Sequence, residues 1–327
     1  MKRRKRKIKF LLVLMFLTSI CLSTSTYSWF STNTMVYIDG LNIKVQAQGG
    51  IEISTDAKKW NPMITQEDII NARENYENSI NQLPLTMEPV STGKNVTNGK
   101  LEMFYGTTEN IGNDYILMAV KNEEEESFGE DSEGKFMAFD IFLKTMADQR
   151  LYLSKDSGAT YKGSTPGIEN SVRFAFLVQG NVPYDTNYIV AQNLNEATSD
   201  TTYIWEPNFD VHTEHGIKNA KEVYGINATL NNSEQILYDG LVANITKNDK
   251  ILIGDANNRN HPELFKKVNV DYLTSNNFNE NMEMFNLKAG ITKIRVYIWI
   301  EGQDVDCENN SAVGDIEFNF QFTTHPS

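Results

Sequence analysis

Alternation with a period of two dominates this chain. From Asp315 to Phe322, Ile316, Phe318, Phe320 and Phe322 fall on one side and Asp315, Glu317, Asn319 and Gln321 on the other. Successive strand side chains point to opposite faces, so this predicts a strand with one buried and one wet face. Ile294, Val296, Ile298 and Ile300 repeat the pattern, with Arg295, Tyr297, Trp299 and Glu301 opposite. Val172, Phe174, Phe176 and Val178 form a third apolar row, and Met137, Phe139, Ile141 and Leu143 a fourth. Leu41, Ile43, Val45 and Ala47 supply one nearer the amino end. Separated by turns rich in Asn, Gly and Asp, these rows predict an all-β chain of packed antiparallel sheets.

One segment departs from that period. Thr65 is followed three residues later by Asp68, as at a helix N-cap, and Ile69, Ile70, Tyr76 and Ile80 then fall at roughly helical spacing before Leu83-Pro84. This predicts a helix inserted near 66–82. Weaker signals suggest helical turns at 262–267 and 233–237. The polar stretch 191–221 and the Asn-rich stretches 257–260 and 276–281 read as long surface loops. With no visible repeat or Pro-rich linker, one elaborated sandwich over 29–327 is preferred to two domains.

The first 28 residues have another organisation. Met1 to Lys9 carries seven Lys or Arg and no acid, Phe10 to Leu22 is apolar, and Thr26 and Ser28 are the small residues before Trp29. These are the basic, apolar and small-residue regions of a secretory signal peptide cut between Ser28 and Trp29. The alternatives are an uncleaved membrane anchor spanning Ile8 to Tyr27, and lipidation at Cys21. The hydroxyl run Ser23-Thr24-Ser25-Thr26 counts against the anchor, and the bulky Ile20 against lipidation.

Loss of residues 1–28 changes the charge. The whole chain has 30 basic and 43 acidic residues, and all seven basic residues of the leader go with it, leaving a net charge of −20. Nucleic acid is thereby excluded as a partner, because phosphate binding needs concentrated Lys and Arg. The dense run Glu123 to Glu126 reads as a solvated loop. Cys307 is then the sole cysteine, so it is either a buried small hydrophobe or a route to intermolecular pairing.

Candidate chemistry is sparse. His212 and His215 form the only close histidine pair, without a third zinc ligand or a His-Glu-x-x-His spacing. Asp304, Asp306 and Glu308 alternate in an acidic turn and are calcium candidates, but Asn309 and Asp315 stand where an EF-hand needs Gly and Glu. The simpler reading is a polar hairpin between two strands. No nucleophile elbow, phosphate loop or dinucleotide fingerprint is present, and neither a cofactor nor a catalytic residue is expected.

The junction Thr26-Tyr27-Ser28-Trp29-Phe30-Ser31 resembles that of the TasA and camelysin family of Gram-positive bacteria, whose precursors are cut by a dedicated signal peptidase. Ser28 stands where that family usually has Ala. Residues 204–208 and 295–307 resemble recurring stretches of a larger group of exported proteins with this signal type. The resemblance implies a jelly-roll-like sandwich, export to the cell surface or extracellular matrix, and assembly into biofilm fibres. In such fibres the first segment of one subunit adds as a strand to the next. Here the candidate donor runs from Trp29 to Tyr37, anchored by Trp29, Phe30, Met35 and Val36; the other reading is an ordinary first strand on its own sheet.

The leading expectation is thus a secreted, non-enzymatic structural protein whose partners are itself or other matrix and surface proteins. The alternative is a surface module recognising carbohydrate or protein through exposed Trp60, Tyr161, Tyr184 and Trp205, since aromatic faces stack on sugar rings. A secreted hydrolase ranks third and requires a cleft with converging carboxylates, or His212 and His215 with a further ligand.

Overall fold

The computed structural model describes residues 36–45, 50–112, 114–124, 133–161, 167–224, 235–275, 278–307 and 315–326. The signal-peptide junction Ser28/Trp29, the donor candidates Trp29, Phe30 and Met35, and the calcium candidate Glu308 lie outside them, and Val36 is described in its backbone alone.

The chain is an all-β sandwich. Its principal strands are β1 (Val36–Val45), β2 (Met137–Thr145), β3 (Gln149–Leu153), β4 (Gly158–Tyr161), β5 (Val172–Val182), β6 (Thr202–Pro207), β7 (Tyr272–Thr274), β8 (Met282–Leu287), β9 (Gly290–Ile300) and β10 (Asp315–Thr323). The first sheet runs Glu133–Gly134, Thr86–Met87, β1, β10, β3, β8, with β4 also paired to β10. The second runs β7, β6, β5, β9, β2, Ile51–Ser54.

The alternating apolar rows meet between these sheets. Phe318, Phe320 and Phe322 of β10 pack on Phe139, Phe174 and Phe176 of the facing sheet, with ring centroids 5.6 to 6.5 Å apart. Val296, Ile298 and Ile300 of β9 join the same core. Each such side chain removed from water stabilises the fold by roughly 1.5–3 kcal/mol.

Several expectations are corrected. The strands are not all antiparallel: β1 runs parallel to β10 from Tyr37↔Asp315 to Val45↔Phe322, and β6 runs parallel to β7. Nearly the whole chain separates β1 from β10, so no hairpin constrains their direction.

The inserted helix is shorter than 66–82. Thr65 does cap it, accepting from the Asp68 N–H in a capping box, but α1 covers only Gln66–Asn71 before one tighter turn at Ala72–Glu74. The rest is taken by the second sheet: Tyr76 is buried with its hydroxyl on Asp140, and Asn81–Gln82 pairs with β2.

The 191–221 stretch is not a surface loop. It contains β6, with Ile204 and Trp205 wholly buried, and the start of a helix at Glu214–Tyr224. At 262–267 one turn, closed by the Leu264 and Phe265 N–H groups on the His261 carbonyl, leads into a strand, Phe265–Lys267, and the described part of 233–237 is not helical.

The wet face expected for β9 is also covered: every residue from Gly290 to Ile300 is buried. Val90, Leu101, Met103, Phe136, Tyr238 and Val268 form an additional layer over Ala138, Ala175, Leu177, Ile204, Tyr297 and Trp299. The second sheet is therefore sealed on both sides, and charged residues of β2, β5, β6 and β9 on this face are enclosed with it.

Candidate functional site

Arg173 of β5 and Glu206 of β6 lie on that sealed face, in a register where Phe174 pairs with Trp205. Arg173 is wholly buried. Its Nη2 donates to Glu206 Oε1 at 2.6 Å and to Asp304 Oδ2, its Nη1 to the carbonyls of Asn170 and Val172, and its guanidinium lies 5.6 Å from the Tyr238 ring centroid.

Asp304 arrives on the acidic turn after β9, and this turn is not a polar hairpin on the surface. Glu301, Gln303, Asp304, Val305, Asp306 and Cys307 are all buried. Their inward direction follows from their partners. Asp304 accepts from Arg173, while the Asp306 carboxylate accepts from the Thr213 N–H at 2.8 Å and its hydroxyl at 3.0 Å, and contacts His212 Nδ1 at 2.8 Å. Glu301 accepts from Trp299 Nε1 at 3.0 Å and from the Gln303 N–H at 3.0 Å.

Two glycines permit this close approach. A Cβ at Gly216 would lie 2.2 Å from Asp306 Oδ1, and one at Gly167, where φ is +95°, would lie 2.2 Å from Thr213 Cγ2.

The cluster is rich in acid. Burial pushes Glu206 up to about 7 against the pull of Arg173, and pushes Glu301 up to about 7 despite its hydrogen bonds from Trp299 and Ser91. Burial lowers the His212 pKa, but the Asp306 hydrogen bond and charge outweigh it, and His212 ends above its ordinary value.

Behind His212 opens a cleft of about 750 Å³. One wall is the outward face of the β4–β10 pair, where Gly158 stands beside Asn319 and Thr160 beside Glu317. The other wall includes Glu169, Asn208, His212 and Thr213. Glu317 and Asn319, read from sequence as part of a wet row, thus line the cleft half-buried. Burial raises the Glu169 carboxyl, whose Oε2 accepts from the Gly167 N–H at 3.1 Å.

The sequence-derived candidates are dispersed by this arrangement. Asp304 and Asp306 are engaged by Arg173 and His212 rather than converging on a cation. Among the described residues no group of three or more His, Cys, Asp or Glu is placed to hold a metal ion. His215 does not join His212 in such a group. Cys307 is buried. The proposed aromatic platform also fails as a set: Trp205 is buried beneath Phe174 with Nε1 on Thr274, Trp60 and Tyr161 are half-buried, and Tyr184 alone is well exposed.

Sequence reasoning passed over Arg173, Glu206, Glu169 and Glu301 as site residues. The available signal was the apolar content of the opposite rows. Ala138, Ala175, Tyr297 and Trp299 share a face with Arg173 and Arg295, so these charges belong to a face too apolar to remain in water.

Among the described residues no helix is long and apolar enough to cross a membrane. Comparison with protein-family models finds none that matches the chain, and comparison with curated proteins finds no match either.

Proposed function

We propose that this is an exported, non-enzymatic structural protein of the cell surface or extracellular matrix, and that it assembles by β-strand addition. The observation that carries the proposal is how β1 is held. It directly follows the leader and the Trp29–Met35 segment, and joins β10 in parallel at eight register positions. On its other side it pairs at only three positions with Met63–Thr65 and two with Thr86–Met87. A strand that follows the leader and pairs at more positions with one neighbour than on its other side can be supplied equally by a second copy. The leader accounts for export, and the acidic balance of the remaining chain suits an extracellular protein that does not bind nucleic acid.

The test compares residues 29–327 with a version beginning at Thr34, by light scattering and negative-stain microscopy. Filaments from the longer chain alone support donation by Trp29 to Asn33, and filaments from both support donation by β1 itself. Monomers from both chains, with and without calcium, overturn assembly by strand addition.

A further inference from the structure

We propose that the cleft between the β4–β10 pair and the Asn208–Thr213 turn binds a neutral, polyhydroxylated ligand, a short sugar chain. Its volume, about 750 Å³, lies within the range of roughly 300–1,000 Å³ common to small-ligand sites.

Two atoms of its lining residues are left without partners. His212 Nε2 and Asn319 Oδ1 are both buried and neither forms a hydrogen bond. Such an atom costs free energy as long as nothing satisfies it. His212 is not free to turn toward another partner. Its side chain is 6% exposed, and its Nδ1 is engaged by Asp306 at 2.8 Å. Asn319 is fixed likewise, because its Nδ2 donates to the Asp156 carbonyl at 2.7 Å.

The chemistry of these atoms selects the ligand. With Nδ1–H donating to Asp306, His212 Nε2 accepts when the ring is neutral and donates when it is protonated. A hydroxyl satisfies it in both states; an ammonium or a carboxylate satisfies it in one. Asn319 Oδ1 requires a donor, which a hydroxyl also provides. Charge disfavours anionic ligands, since among the described lining residues the carboxylates Asp156, Glu169 and Glu317 outnumber Lys155 and His212. A ligand carrying many hydroxyls and no charge meets all these conditions, and the site is separate from the strand exchange proposed for β1.

Gly158 provides the test. A Cβ there would meet no atom within 4 Å, so Gly158→Phe starts from open space and adds a ring beside Asn319. Calorimetry would measure the exported chain with three probes: cellotetraose, the N-acetylglucosamine tetramer and tetralysine. Unchanged thermal unfolding would establish that the variant is folded, and Glu317→Ala would remove a lining acceptor without filling space.

The expected result is saturable binding of at least one sugar, weakened about tenfold or more by Gly158→Phe and also weakened by Glu317→Ala. Sugar binding unchanged in both variants, or no saturable sugar binding, would overturn the proposal. Binding of tetralysine alone would overturn it in favour of a cationic peptide.

Discussion

Two groups of buried charge occupy the same face of the second sheet, one toward each end, and their balances differ. At one end Asp140 of β2 is opposite Arg295 of β9, accepting from its Nε at 2.8 Å and its Nη2 at 3.2 Å. Lys293 lies 3.3 Å from the same carboxylate, and the Tyr76 hydroxyl donates to it at 2.8 Å. Burial alone would raise Asp140, but Arg295 and Lys293 prevail and hold it at about 2. At the other end Arg173 serves Glu206 and Asp304, with Glu301 and Asp306 buried nearby. There burial prevails over the one guanidinium. Similar depth therefore gives opposite pKa shifts, and the ratio of cations to carboxylates decides the sign.

The first group is a structural clamp. Lys293 donates to the carbonyls of Gln192 and Leu194, and Arg295 to that of Gly99, so the ion pairs also tie two connections to the sheet. The second group borders the cleft and holds His212 in place. Two of its acids, Glu206 and Glu301, retain protons near neutrality, so its charge is adjustable where that of the clamp is fixed.

The comparison breaks most severely at Asp140. Replacing it with Ala leaves Arg295 and Lys293 buried without their carboxylate, and the expected loss is about 3–5 kcal/mol in urea unfolding. A loss below about 1 kcal/mol would show that the clamp contributes little to the fold.

Arg173→Met is expected to destabilise less, by about 2–4 kcal/mol at pH 8, because the Glu206 carboxylate it abandons can take up a proton. For the same reason the loss should shrink at pH 5. Equal losses at both values would contradict the adjustable charge assigned to this end.

Much of this architecture was legible because alternation identifies a strand and one of its faces. β10, β9, β5 and β2 were each visible as apolar rows, and these rows form the core. Alternation does not reveal what covers the second face. Arg295, Tyr297, Trp299 and Glu301 look like a solvated set until residues 90–103, 136 and 238–268 are laid over them, and those contacts span up to about two hundred positions. Direction was hidden for a similar reason, since pairing of the first and last strands leaves no local turn signal. The cleft was least legible of all. Glu169, His212 and the Glu317–Asn319 row are far apart in sequence and individually ordinary.

The smallest predicted effect is also the most discriminating. Asp140 falls below its ordinary 3.8 on folding, so its contribution is present above about pH 4 and is lost as pH falls toward 2. Glu206 and Glu301 rise from 4.5 to about 7, so they favour the folded state fully below 4.5, and this contribution is lost as pH increases through 7. Stability should therefore climb from pH 2 to about 4 and decline between about 4.5 and 7. Glu206→Gln keeps the shape but cannot ionise, and its single carbonyl accepts from only one of Arg173 and Gln235, which both donate to Glu206. It should lower stability at pH 4.5 by about 1–2 kcal/mol and reduce the later decline by about 1–3 kcal/mol, measured as urea midpoints across pH. A variant whose decline equals that of the parent would assign the pH dependence to other groups and remove the contrast between the two ends of the sheet.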